Sequence, residues 1–333
     1  MKISKLYVYP IKSLRGLELQ SAEVSKHGFL YDRRFMILKV SEDGSLKNMH
    51  VAYFPEMVLF WTSLDLADDD SMEDAKINIA YRPPHGEHKS LDVPLTPDTS
   101  DLAQIEVEMH KSPTQAYDMG SRYNVWFSSC FGYDVVLAYL GPHYRSVLMS
   151  TSDTKQSKGW LSSISSMVLG NSKNEITFAD CAPYLVVSET SMEDVTRRLP
   201  VGEEMDIVKF RPNIIVSGAE KAWDEDYWGQ IQLGDAVLNC EHNCVRCQSI
   251  NIDYTTGKPG TGESGKVLKK LQSDRRVDPG GKYSPVFGRY SFLQPNCQGK
   301  RIAVGDEVAI TKRNTEGTVF GTSWNVFGIG IEN

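Results

Sequence analysis

The sequence contains no apolar run approaching the roughly 18 residues that a membrane-spanning helix needs, so no transmembrane segment is expected in the chain. Met1–Pro10 lacks the charged, apolar and small-residue regions of a secretory leader, and Met1 leads directly into a strand-like run. A naturally soluble, cytoplasmic protein is the expectation. A basic excess is missing too: Lys and Arg total 36 against 43 Asp and Glu, a formal net charge of −7. A general nucleic-acid binder needs a basic face to neutralise phosphates, which this balance argues against; a local basic pocket stays open. Cysteine is scarce, six in 333 residues, with three crowded into 240–247 and the others isolated at Cys130, Cys181 and Cys297. That is not a secreted disulfide framework. Neither a flavin or nicotinamide fingerprint nor a C-x-x-C-H haem attachment occurs, so any redox chemistry here needs electrons from a separate protein.

What is present is an ordinary globular composition, 41% hydrophobic and 24% charged, long enough for two interlocked domains or one large one. Strand-like runs bounded by Gly, Pro or charged turns fall at Ile3–Tyr9, Leu17–Ser25, Arg34–Val40, Lys76–Tyr81, Ser90–Pro94 and Ile105–His110. The acidic stretch Leu66–Asp74 reads as a solvated loop. A helix is expected in Met119–Phe131, then a strand at Tyr133–Leu140, ending a first unit at residues 1–145. Residues 146–175, rich in Ser, Lys and Gly, read as a flexible linker to a second unit, 176–333. There Ser191 with Asp194 suggests a capping box for a helix at Met192–Leu199. Strands follow at Ile214–Ser217, Ile231–Leu233 and Ala236–Asn239, a helix at Lys266–Ser273, and strands at Arg289–Leu293 and Glu307–Thr311. Strands dominate both halves, so the fold class is mixed α/β but β-rich and barrel-like, with a few helices, rather than a doubly wound sheet.

The strongest chemical signal is Cys240-x3-Cys244-x2-Cys247. Thiolates bind soft or high-valent metals, and three within eight residues rarely serve packing alone. Four readings stand: buried structural thiols; a zinc site drawing on His242; an iron–sulfur cluster, whose radical-enzyme spacing this matches; and a single thiolate ligand. The last is favoured by Arg246 before Cys247, since a neighbouring guanidinium stabilises a thiolate. Basic residues also stand at strand ends: Lys12 with Ser13, the pair Arg33 and Arg34, and Arg211 near Asn213. Each alone reads as an edge guard; together they suggest an anion pocket, with Arg offering a planar fork and Asn a donor and an acceptor.

Five ordered motifs then resemble the MOSC-domain proteins, and within them the amidoxime-reducing component (mARC) family. Tyr9-Pro10-Ile11-Lys12-Ser13 and Asp32-Arg33-Arg34-Phe35 are similar to an N-terminal MOSC-associated β-barrel. Phe210-Arg211-Pro212-Asn213, Arg246-Cys247 and Ser284-Pro285-Val286-Phe287-Gly288 are similar to a β-barrel-like MOSC domain. The resemblance implies that Cys247 is the molybdenum ligand and catalytic centre of a molybdenum–molybdopterin cofactor. It implies that Lys12, Ser13, Arg33, Arg34, Arg211, Asn213 and Arg246 bind the pterin and its phosphate, with Asp180 and Tyr290 as further pocket residues. The implied activity removes oxygen from amidoximes, hydroxylamines or nitrite, with electrons from a cytochrome b5-type donor and its NADH-dependent reductase. A sulfur carrier using a Cys247 persulfide and a non-catalytic cofactor-binding module are the rivals. Two departures stand out. Gln248–Tyr254 replaces the family's Thr-Thr-Val-Asp-Pro-like stretch, leaving substrate preference open. The animal members' membrane anchor is not in this sequence; a mitochondrion-associated location would apply had one been removed.

Overall fold

The structure is a computed structural model describing residues 1–66, 75–147 and 175–319. Most of the expected acidic loop and of the expected linker lies outside these residues. The β-rich expectation holds. The largest sheet has eight strands in the order Leu17–Leu19, Lys2–Val8, Ile214–Ser217, Tyr184–Ser188, Val286–Leu293, Ala236–Val245, Trp228–Leu233 and Val308–Arg313. Only the third and fourth strands of this order, Ile214–Ser217 with Tyr184–Ser188, run parallel; the other neighbours are antiparallel. A bridge from Lys2 to Glu307, supported by hydrogen bonds from Ile3 N to Asp306 O and Val308 N to Met1 O, curls this sheet almost closed. The first strand of the chain therefore belongs to the sheet built mainly by the second half.

The first half forms a five-stranded sheet, Gln104–Met109, Ser112–Asp118, Val135–Tyr139, Phe35–Val40 and Leu46–Asn48, and a three-stranded one, Phe60–Asp65, Lys76–Tyr81 and Lys89–Pro94. The helix Ser121–Phe131 packs on Val135–Tyr139. Phe60 is fully buried among Phe127 at 5.7 Å and Phe131 at 4.8 Å, offset geometries that suit aromatic quadrupoles. Ile252 and Tyr254 from the second half share this core, so the halves interlock.

Several sequence expectations need correction. Leu17–Ser25 is two strands, not one: Leu17–Leu19 joins the eight-stranded sheet and Ser21–Ser25 pairs with Arg301–Ala303. Ala236–Asn239 continues to Val245, carrying Cys240 and Cys244 inside the strand. The helix spans Glu189–Arg197 behind Ser188, and Ser191 is no cap: its buried Oγ donates to Glu225 Oε2 at 2.7 Å and accepts from Trp223 N. Tertiary packing outweighed the local capping pattern. Strands Phe60–Asp65 and Ser112–Asp118 carry no clear sequence signature and were not expected.

Gly288 shows how closely the central strands pack. It has φ +87 in mid-strand, and a Cβ there would stand 2.7 Å from Val187 Cγ1 and 3.0 Å from Val186 O. We expect Gly288→Ala to cost about 2–3 kcal/mol through combined backbone strain and overpacking. Urea unfolding checks this; a cost below about 0.5 kcal/mol, the range of a neutral surface change, would refute the packing argument.

Candidate functional site

The strand Ala236–Val245 delivers Cys247 to the surface. Val245 pairs with Val286 and Arg246 N donates to Pro285 O at 2.8 Å. Cys247 then leaves the sheet in extended conformation (φ −120, ψ −175) ahead of the 3-10 turn Gln248–Asn251. Its side chain is exposed, with Sγ 3.3 Å from Ser249 Oγ. Cys240 and Cys244 are both buried, but in different hydrophobic clusters. Four residues apart, they would share a face of a regular strand; the register shifts between Cys240 and His242 and between Asn243 and Val245 separate them, as bulges do. Among the described residues no three His, Cys, Asp or Glu side chains gather as a metal-binding group. The geometry thus gives the three thiols three different surroundings.

The Arg246 guanidinium turns inward. Nε donates to Phe287 O at 2.9 Å and Nη1 to Phe210 O at 3.0 Å, while Nη2 is buried without a partner. Its electrostatic pull reaches Cys244, whose thiol burial nevertheless pushes up. Arg211 repeats the pattern: Nη1 donates to Leu14 O at 2.7 Å, the guanidinium lies over the Tyr9 ring at 4.4 Å, and Nη2 is buried and unpartnered. A buried N–H without an acceptor is costly in a polar group this strongly charged. Two such donors make room for an acceptor-rich or anionic group, the chemistry of a pterin edge or phosphate, so the residues present fit that cofactor.

Arg33 and Asn213 are occupied by the chain itself. Arg33 Nη1 meets Asp32 Oδ2 and donates to Asn213 Oδ1 at 3.1 Å, and Nη2 donates to Arg211 O at 3.3 Å. Asn213 Oδ1 also accepts from Leu185 N at 3.2 Å, and Nδ2 donates to Tyr7 O at 3.2 Å. These two side chains position the Arg211 turn. Arg34 points at Gly141 O and lies 5.2 Å from the Tyr144 ring.

Lys12 is buried, with Nζ donating to Phe178 O at 3.2 Å and paired with Asp180 Oδ1. Burial pulls this ammonium down and Asp180 resists the fall. His110 Nε2 stands 3.6 Å from the same Asp180 oxygen. Desolvation against the wall opposes ionisation of Asp180, but only in part, since 56% of its side chain remains exposed; Lys12 and His110 hold the carboxyl well below its ordinary range. Buried Arg145 binds this wall together, donating to Thr177 O and Met109 O at 3.1 Å and to Ala179 O. The Tyr290 hydroxyl neighbours Cys181 and Cys244, and burial beside those thiols and Asp180 raises it well above the usual phenol value.

Sequence reasoning missed Tyr9, Cys181, His110 and Arg145. It also could not see backbone strain: Ser13, Arg33 and Arg211 have φ 69, 50 and 55, and His110 has φ 51. Non-glycine residues rarely adopt this region, and where they do the site is often functional. Nothing in composition marks these positions. A cleft of about 770 Å³ lined by Arg197, Arg198, Glu263, Lys266 and Lys270 shares no residue with this site, and its charges largely pair with one another.

Comparison with known proteins places these features in context. The family model for the MOSC domain matches residues 173–309, and that for the MOSC N-terminal beta barrel domain matches residues 1–134. The chain is 30% identical to mitochondrial amidoxime-reducing component 1 of Mus musculus over 317 residues, covering 92% of this chain and 81% of that protein. Against the Homo sapiens protein of the same name identity is 27%, covering 92% and 82%. Molybdenum cofactor sulfurase of Arabidopsis thaliana is 28% identical, over 92% of this chain and 35% of that longer protein.

Proposed function

Because the chain belongs to the MOSC-domain family of amidoxime-reducing components, we propose that it is a molybdenum-cofactor-dependent reductase removing oxygen from N-hydroxylated compounds such as amidoximes and hydroxylamines, or from nitrite. The observation that carries the reading is the pair of buried, unpartnered guanidinium nitrogens on Arg211 and Arg246, one of them on the residue preceding the exposed Cys247 thiol.

Bound there, a molybdenum–molybdopterin group supplies the two-electron chemistry of oxygen removal, which no protein side chain provides. The chain's part is to hold, orient and shield. Cys247 offers a thiolate to the metal from a position that solvent and substrate reach. Arg211 and Arg246 would offer their spare N–H donors to pterin or phosphate oxygens; Arg246 is held by the carbonyls of Phe287 and Phe210 and Arg211 by Leu14 O and the Tyr9 ring, which restrains both forks. Lys12 adds a buried positive charge beside Ser13, whose left-handed backbone turns the loop. Arg33 and Asn213 fix the Arg211 turn, and Arg34 braces the neighbouring wall through Gly141. Asp180 and Tyr290 form the polar rim, where an ionised carboxylate can accept and a protonated phenol can donate a hydrogen bond to orient an N-hydroxyl group, the protons that the reduction consumes coming from solvent. Electrons come from a cytochrome b5-type carrier served by an NADH-dependent reductase. Among the described residues no helix is long and apolar enough to cross a membrane.

The exposed Cys247 and the similarity to a cofactor sulfurase favour one second reading, a sulfur carrier with a persulfide on that thiol. Elemental analysis coupled to a benzamidoxime assay, driven by dithionite-reduced methyl viologen, separates the two. We expect stoichiometric molybdenum and steady benzamidine formation. Cyanide-labile sulfur without molybdenum would instead establish the carrier, and molybdenum without turnover a binding module.

A further inference from the structure

Cations and aromatic rings alternate without a break from the surface to the site. Exposed Arg82 lies 5.2 Å from the Trp61 ring, and Arg15 stacks over the same ring at 3.8 Å and meets Tyr254 at 5.0 Å. Buried Tyr254 feels the Arg211 charge, which opposes the rise that burial gives its phenol; Arg211 and Arg33 each lie 4.4 Å from the buried Tyr9 ring. Lys209 covers Tyr254 from another side at 5.8 Å. Arg15 is pinned by Val58 O at 2.6 Å and Tyr254 O at 2.5 Å, which makes the inner rungs rigid. The outer rung is different, because Trp61 leaves 41% of its surface in solvent.

The charge at this end is opposite to that of the whole molecule. Arg15, Arg82 and Lys209 gather around the carboxylates of Asp206 and Asp253, three positive charges against two, a local excess of one on a chain of net charge −7. An exposed Trp flanked by Arg is also the composition of an interface anchor. A charged, tryptophan-centred patch that connects rigidly to the Arg211 turn suits a brief encounter with a carrier more than a permanent subunit contact.

We propose that the Trp61, Arg82 and Lys209 face is the docking surface for the electron donor, a carrier protein presenting an acidic rim around its redox group. This deepens the reductase reading and rests on it. The donor is oxidised by one electron at each encounter, two encounters supply one substrate reduction, and solvent supplies the protons released into water and amine.

The test uses the molybdenum-loaded protein with the soluble haem domain of cytochrome b5 as donor, and NMR line broadening for binding. Arg82→Glu and Trp61→Ala should each weaken binding and raise the KM for the reduced haem domain by about tenfold, the loss of one anchor contact, and raising salt should weaken the wild type. Turnover driven by dithionite-reduced methyl viologen should stay within about twofold in both variants, since a small donor needs no docking face. Unchanged affinity and KM in both variants would overturn the proposal, as would a wild type that does not bind the haem domain. Wild-type turnover with viologen but no cytochrome binding overturns the docking face alone. Binding without viologen-driven turnover overturns the reductase reading and leaves the face standing.

Discussion

Cys247→Ala should reduce amidoxime turnover to background while leaving the fold in place. The thiol is exposed, and among the described residues its hydrogen-bond contact is Ser249 Oγ at 3.3 Å, so its removal should change stability by no more than about 0.5 kcal/mol, as at other surface positions. Activity is a separate matter, because a metal that loses a protein thiolate loses both its anchor and the electronic tuning that the ligand provides. The two outcomes together distinguish a ligand from a structural cysteine. Cys240→Ala should have the reverse profile: its thiol packs in the core of the eight-stranded sheet, so melting temperature falls while turnover per molybdenum persists. Viologen-driven assays and urea denaturation on both variants provide the check. Cys247→Ala activity within about tenfold of wild type, a barrier change near 1.4 kcal/mol, would remove Cys247 from the centre of the mechanism.

A second large effect is expected where no chemistry is assigned. Glu225 is fully buried; Ser191 Oγ serves one carboxyl oxygen at 2.7 Å and the other has no hydrogen-bond partner. Burial pushes the acid up to about 7 from 4.5, Ser191 opposing and Asp226 assisting. An acid with a raised folded pKa binds its proton more tightly in the native state than in the unfolded chain. Its contribution is therefore fully present below about pH 4.5 and is lost as pH rises through about 7. The loss amounts to ~3 kcal/mol by pH 8, since each pH unit between the unfolded and folded pKa contributes about 1.4 kcal/mol. Glu225→Gln cannot ionise, so it should exceed the wild type in stability by about that amount at pH 8 and converge with it below about pH 4.5. Chemical denaturation across this range measures the difference. A difference that does not vary with pH would show that Glu225 is not the titrating group.

The strands were legible because alternation is local. Lys76–Tyr81 reappears with the same bounds and Ile105–His110 as Gln104–Met109, since a strand that buries alternate residues leaves a period of two in the sequence. The MOSC motifs were legible for a different reason: each is a short run whose backbone and side chains serve the same turn. What escaped depends on contacts between distant residues. Spacing alone could not separate Cys240 from Cys244, because a bulge, set by the partner strand Val286–Leu293, reverses the faces. Asn213 matches a pocket pattern, yet its amide is consumed by Tyr7, Leu185 and Arg33. Asp224, Glu225 and Asp226 form a run that ordinarily marks a solvated surface; Arg313, Ser191 and Arg275 from other parts of the chain keep it buried. Arg145 is nondescript in sequence and becomes a hub only when Met109, Thr177 and Ala179 are brought to it.

The placement of Lys2–Val8 beside Ile214–Ser217 has a consequence for how the molecule comes into being. During synthesis the first strand emerges more than two hundred residues before its neighbour on one side, Lys2 being paired with Ser217, and the bridge to Glu307 must wait longer still. Leu17–Leu19 can cover one edge early, but a ribosome adding about 5–20 residues per second leaves the other edge without its partner for roughly ten seconds or more. Such long-range closure makes for slow folding. The nascent chain thus carries an unpaired, apolar edge for most of its elongation, and the same edge would be bared again in any truncated product ending before residue 214.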